Sequence, residues 1–194
     1  MKRSEFHIPA GVTYLCGNSL GLPPKAAIEA VQRDMDKWST LAVDGHFAEP
    51  EPWLHAESTC ARAFLPIVGA QHEHEVAIMG ELSANIHFLL SAFYKPIGGR
   101  YKILVEEGAF PSDIFVVRSF LENRNAPDDT LLLLPVGEYG LYKEESIKEV
   151  IREHAKDLAL VFLGGVNFYT GQVLPIHDIT KQCHQLVHQH SKAF

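Results

Sequence analysis

The stretches TLLLLPV (130–136), EESIKEVIREHA (144–155), LALVFLG (158–164) and PIHDITKQCHQLV (175–187) decide the fold. Each apolar run is short, and each is followed by a segment whose apolar residues recur every three or four positions, the period of a helix packed on one side. Both TLLLLPV and LALVFLG are apolar throughout instead of alternating, as strands covered on both faces are. The same order holds upstream, where EVAIMG (75–80) precedes SANIHFLLSAFYK (83–95), and YKILVE (101–106) precedes PSDIFVVRSFLEN (111–123). Four strand-then-helix units in succession predict an α/β fold with right-handed crossovers and a mostly parallel sheet. Ahead of them, PPKAAIEAVQRDMDKWSTLA (23–42) predicts a helix with Ala27, Ile28, Val31, Met35 and Trp38 on one side. Residues 56–68 predict another, ended or kinked by Pro66. The first 22 residues are rich in turn formers.

Composition narrows the function. Apolar residues are 46% and charged residues 21% of the 194, the balance of a globular chain. Seventeen Lys and Arg face 24 Asp and Glu, and no basic run is present, which argues against a nucleic-acid partner held by phosphate neutralisation. Cys16, Cys60 and Cys183 are odd in number and far apart, a pattern that fits a reducing compartment better than a disulfide framework. Lys2 and Arg3 lead into polar residues, so no secretory signal is visible. No apolar stretch reaches the roughly eighteen residues a membrane helix needs. The expectation is a soluble cytoplasmic protein.

In parallel sheets ligands sit beyond the carboxyl ends of the strands. The first such end, Gly80-Glu81-Leu82-Ser83-Ala84-Asn85, offers free N–H groups and a hydroxyl at a helix start, which suits a phosphate. On this segment alone, Ser83 as a plain N-cap is the stronger reading. The second, Glu107 to Asp113, carries Phe110 where a ring could stack on a planar ligand, and Asp113 where a carboxylate could answer a cationic nitrogen. Core packing and first-turn electrostatics account for the same residues. At the last, Gly164 to Gln172, two glycines let the backbone approach a ligand, and Asn167, Tyr169, Thr170 and Gln172 supply polar tips. A plain glycine-rich turn is the alternative. Neither GxxxxGK[ST] nor GxGxxG occurs.

Eleven histidines raise the question of a metal. His184 and His188 are four apart with His190 nearby, and His72 and His74 flank Glu73. None forms the HExxH pattern, and all five read as surface or terminal side chains. No metal site is expected. His46, in a polar loop near Trp53, reads by default as a solvated histidine.

Taken together the segments resemble one family. Tyr14-Leu-Cys-Gly-Asn-Ser-Leu-Gly-Leu22 is similar to the YLxGNSLGL signature of the kynureninases, hydrolases that depend on pyridoxal phosphate (PLP). The likeness continues in order through Trp38, Gly45-His46, Pro52-Trp53, Ile67 to Ala70, Met79, Leu82-Ser83, Asn85, Lys95-Pro96 and Arg100 to Leu104. It runs on through Ala109 to Asp113 and Gly165 to Gln172, and so spans roughly residues 14 to 181. The phrasing is nearest to eukaryotic members, fungal ones in particular.

The resemblance implies the large domain of the aspartate-aminotransferase-like fold (fold type I), incomplete here. It divides the chain into an N-terminal arm and helix, 1–45, and a partial PLP-binding domain, 46–194. It implies that Leu82 and Ser83 hold the cofactor phosphate, with Ser83 where the family often has Thr. Phe110 would stack on the pyridine ring, Pro111, Ser112 and Asp113 would line the same wall, and Gly164 falls where some members carry a Ser. Ser19 and His46 would face the substrate. The implied reaction is hydrolysis of kynurenine or 3-hydroxykynurenine to alanine and an anthranilate, in tryptophan catabolism and NAD biosynthesis, by a homodimer.

The departures matter as much. A family-length chain is more than twice as long as this one. Where the family enters a strand ending in Asp-x-x-His, this chain reads His188 to Phe194, neither an apolar strand nor an Asp site. The Schiff-base lysine of a later Tyr-Lys pair and the carboxylate-binding arginine have no counterpart. The expectation is a truncated or spliced product with no catalytic lysine and no turnover alone, and with feeble PLP binding. A non-catalytic product that docks on a full-length subunit or misfolds is the rival. Another PLP enzyme of the fold, such as a cysteine desulfurase, is disfavoured because GNSLGL and FPSD occur together. The fold also implies that YKILVE, TLLLLPV and LALVFLG form a three-strand piece with an open edge, while EVAIMG lacks a partner, so the chain should aggregate readily.

Overall fold

The computed structural model describes residues 2–191. The chain divides into two compact units, Met1–Ile78 and Met79–Phe194. The break expected after residue 45 falls inside the first of them.

In the first unit, α1 (Lys25–Leu41) and α2 (Ala56–Val68) take the expected places. Pro24 stands at the N-cap of α1. Pro66 has no N–H to give, and α2 runs only two residues past it before Gly69 adopts the left-handed conformation, φ 72°. The apolar stripe of α1 is open: Ile28, Val31, Met35 and Trp38 are at least half exposed. The loop after α1 is held from inside. The Lys37 ammonium donates to the carbonyls of Ala48, Pro50 and Glu51 at 2.9, 2.9 and 3.0 Å. All three of its protons are thereby used.

The second unit is the α/β body. Its elements are α3 (Leu82–Phe93), β1 (Lys102–Glu106), α4 (Pro111–Glu122), β2 (Leu131–Leu134), α5 (Glu144–Glu153), β3 (Leu158–Phe162) and α6 (Ile176–Ser191). The three strands form one parallel sheet in the order β2-β1-β3. The stretch 188–194, read above as lacking a strand or an Asp site, joins α6 as far as Ser191, and 192–194 lie outside the described residues. Alternate residues of β1 serve opposite faces. Ile103 and Val105 pack with Ile86 and Leu90 of α3 and Val116, Val117 and Phe120 of α4. Leu104 packs with Ile147 and Ile151 of α5 and Ile179 of α6. Helices on both faces make three layers, as the strand–helix alternation implies.

One expected strand is absent. Residues 76–79 of EVAIMG pair with no strand among the described residues, and the boundary between the two units passes through them. A strand needs a neighbour to satisfy its N–H and C=O groups. Beyond β2 and β3 the described sheet offers none, so Ile78 and Met79 are exposed. The three remaining strands pair as expected, which leaves the two most apolar runs as the two edges. Four residues of β1 are buried, against one in β2 and none in β3. Such edges template association. Light scattering on the purified chain is expected to show concentration-dependent self-association, and a monodisperse monomer across the range would contradict it.

The amino end of the sheet is pinned by charge. Lys102 Nζ lies 2.9 Å from Asp157 and 3.8 Å from Asp129, and Asp129 accepts the Tyr101 hydroxyl at 2.6 Å. Desolvation pushes the Asp157 carboxyl up, but hydrogen bonds from Lys102 and His154 outweigh it and hold it below the ordinary 3.8. A depressed carboxyl contributes stability that is present above its unfolded-state pKa and lost as pH falls through the folded one. Lys102→Met removes the main compensating partner and leaves the desolvation. Acid unfolding followed by circular dichroism is therefore expected to begin at higher pH in Lys102→Met than in the parent chain.

Candidate functional site

The carboxyl ends of β1 and β3 and the starts of α3 and α4 enclose a cleft of about 240 Å³. Its wall includes Leu82, Glu106, Phe110, Asp113, Gly164 and Phe168. The floor is built by one carboxylate. Glu106 ends β1 and is 2% exposed. Its Oε1 accepts the Gly164 N–H at 2.7 Å and its Oε2 accepts the Asn167 side-chain amide at 3.1 Å. A charged group in a buried position requires such donors. A Cβ on Gly164 would fit tightly, 3.3 Å from Glu106 Oε1 and 3.4 Å from the Val166 carbonyl.

The loop after β3 turns most of its polar groups inward. Asn167, 5% exposed, accepts at Oδ1 from the N–H groups of Tyr169 and Thr170 and from the Thr170 hydroxyl. Gln172 exchanges two hydrogen bonds with the Tyr142 backbone, accepting from its N–H at 2.8 Å and donating to its carbonyl at 2.6 Å. Of the four residues expected to offer polar tips, Asn167, Thr170 and Gln172 are engaged within the loop and its support. Phe168 reaches the cleft instead, edge-on to Phe110 with ring centroids 5.0 Å apart. Phe110 itself is the residue before α4, half exposed, with Pro111 at the first helical position. Asp113 follows in that turn, and its carboxylate accepts the Ser112 hydroxyl at 3.3 Å.

At α3 the sequence reading needs correction. Ser83 is not the N-cap. Glu81 is, and its Oε1 accepts the Ala84 N–H at 2.8 Å while its Oε2 accepts the Ser83 N–H at 3.1 Å. Those bonds, first from Ala84 and then from Ser83, hold the Glu81 carboxyl below its ordinary range, with the Ser83 side chain adding to the effect. Farther into the first turn, Asn85 Oδ1 is buried without a partner. Sequence reasoning missed both Glu81 and Glu106. The signals were a carboxylate immediately before a helix and a lone charge closing an apolar strand.

Leu82, Phe110, Asp113 and Gly164 thus line one cleft, and Ser83, Pro111 and Ser112 stand in the first turns of the two helices that frame it. Ser19 and His46 belong to the first unit. Ser19 is exposed, in a turn where its N–H donates to the Cys16 carbonyl at 3.0 Å. His46 has Nδ1 2.9 Å from the Val43 carbonyl, so Nδ1 carries the proton and Nε2 is left as the acceptor in the neutral ring. Trp53 stands edge-on to it at 5.4 Å, anchored by its indole N–H on Asp34 at 3.0 Å. A Cβ on Gly45 would meet the Trp53 ring at 2.6 Å, so only glycine lets the histidine loop close on the tryptophan. Among the described residues no three His, Cys, Asp or Glu side chains converge as a metal group. No helix among them is long and apolar enough to cross a membrane.

The chain is 40% identical over 189 residues to the kynureninase of Myxococcus xanthus and 39% identical over 203 residues to that of Saccharomyces cerevisiae. It is 42% identical over 175 residues to kynureninase 1 of Aspergillus niger. The chain is a relative of the kynureninases. These matches take in 94%, 94% and 86% of the chain but 44%, 45% and 37% of the kynureninases, so it spans less than half the length of the relatives it matches. No family model matches it. Among solved structures it is similar to a lysine-to-alanine mutant of C-DES with glycine covalently linked to the PLP cofactor, with a TM-score of 0.71 at 18% identity. That likeness covers 95% of this chain and 46% of that one, and it establishes the α/β fold expected from the kynureninase resemblance.

The floor of the cleft gives a direct test. In Glu106→Gln one acceptor oxygen survives, while the new amide faces a donor and leaves it unpaired in the interior. The expected loss is about 1–3 kcal/mol. It should read as a lower urea midpoint together with faster hydrogen exchange at the Gly164 amide, and an unchanged midpoint would contradict the role given to this carboxylate.

Proposed function

We propose that this chain supplies the cofactor-holding part of a kynureninase, cleaving kynurenine or 3-hydroxykynurenine to alanine and an anthranilate with PLP. The cleft carries the reading: it lies beyond the carboxyl ends of parallel strands, at two helix starts, in a chain about 40% identical to kynureninases.

The residues present fit the cofactor in kind. The first turn of α3 offers N–H donors and the Ser83 hydroxyl for a phosphate. Leu82 and Phe110 give an apolar wall for a planar ring, with Pro111, Ser112 and Asp113 in the adjoining turn and Gly164 on the floor. When bound, PLP supplies the electron sink that lets charge develop on carbons of the amino-acid substrate. The protein's share is to grip the phosphate, orient the ring and keep water off its face. Ser19 and His46 are assigned to the substrate, His46 through Nε2.

No lysine lines the described cleft. We therefore read these 194 residues as inactive by themselves. The two open sheet edges favour a second reading, a non-catalytic product that docks on a full-length subunit. The transcript beyond the codon for Phe194 separates the two. A frame running on into an Asp-x-x-His and a Tyr-Lys pair makes this part of a working enzyme, whereas a stop codon favours docking. On the chain itself, kynurenine with added PLP is expected to yield no anthranilate fluorescence above the protein-free rate. Appreciable turnover would overturn the reading of inactivity.

A further inference from the structure

Two of the N–H donors that a phosphate would use at α3 are already engaged. Glu81 accepts from the Ser83 and Ala84 N–H groups, and the Ser83 side chain favours its ionised form as well. These are two of the backbone donors at the phosphate site proposed above, and the competition they create depends on that reading. Each N–H donates one strong bond, and a carboxylate and a phosphate dianion directed at the same helix start also repel each other. Both anions cannot be held there at once.

Glu81 is held by this turn, with a weaker Coulombic pull from His87 farther along α3. Its side chain is exposed, and no ion pair or hydrogen bond from outside the first turn of α3 reaches its carboxylate among the described residues. The backbone at Glu81 is extended, φ −78° and ψ 161°, and an outward swing of the side chain gives up its two cap bonds to Ser83 and Ala84, which a bound phosphate would replace.

We infer that Glu81 is a built-in competitor for the phosphate site: its carboxylate mimics the ligand's anion, and a phosphate-bearing cofactor enters only as that carboxylate leaves. The device lowers affinity for the phosphorylated ligand specifically and does not touch the part of the cleft that meets the ring. Its effect falls on the step of loading.

Pyridoxine 5′-phosphate is a suitable probe, because it has no aldehyde with which to react at lysines, and pyridoxine is the control that lacks the phosphate. The full chain, Glu81→Gln and Glu81→Ser are titrated by calorimetry at fixed pH and salt. Serine preserves a neutral cap for α3, so that variant keeps the helix start even if glutamine does not, as circular dichroism will register. Both variants are expected to bind pyridoxine 5′-phosphate about tenfold more tightly than the parent, the scale of removing one close like charge near a protein surface, with pyridoxine unaffected. The Ser83 and Ala84 amide resonances should shift on binding. Variants that bind the probe no tighter than a parent that does bind it overturn the competition and leave the cofactor reading standing. Failure of all three chains to bind at millimolar probe overturns both.

Discussion

A single buried carboxylate sets the geometry of the second unit. Glu106 closes the central strand, and its two oxygens tie down the turn after β3 through Gly164 and Asn167. That tie joins the start of the loop from Gly164 to Gln172 to the end of β1, while Gln172 fixes its far end on the Tyr142 backbone. The rest of the loop follows from it: once Asn167 is anchored, its remaining oxygen organises Tyr169 and Thr170, and Phe168 is delivered to Phe110. A charge is suited to this because its donors come from separate elements and must be gathered at one point, which an apolar contact, being non-directional, cannot specify.

The distribution of burial is equally telling. β1 is less apolar than either neighbour, with a lysine at one end and a glutamate at the other, yet it is the central strand. Its neighbours, the most apolar runs in the chain, are only half covered. Composition along a strand thus reports the surroundings a sequence is suited to, and the edge strands are more apolar than their partial burial among the described residues requires.

Much of this is legible in the sequence. The helices over 25–41, 56–68, 82–93, 111–122 and 144–153 announce themselves by period and punctuation, and three strands by short apolar runs between them. EVAIMG misleads for a physical reason: its residues favour a strand, but strand pairing is a property of two segments, and pattern along one cannot supply the second. The site is legible in outline, since Leu82, Phe110, Asp113 and Gly164 do meet in one cleft. Its hydrogen bonding is not. Ser83 looks like the cap because serine is favoured there, but the reach of the Glu81 side chain places the capping oxygen two residues earlier. The polar tips after Gly164 look like ligand donors, yet Asn167, the buried residue of that loop, is spent on the N–H groups of Tyr169 and Thr170.

The order β2-β1-β3 has a consequence for how the molecule is made on the ribosome. The strand that ends up in the middle emerges first, with α4 between it and β2, and α5 between β2 and β3. The sheet therefore grows outward from its oldest member, each newcomer adding at a free side. For the time it takes to translate those intervening residues, β1 has only α3 and then α4 to shelter against, so this helix pair serves as a nursery for the strand. Once β3 has been laid down, both sides of the central strand are paired, and the margins of β2 and β3 are the open ones among the described residues.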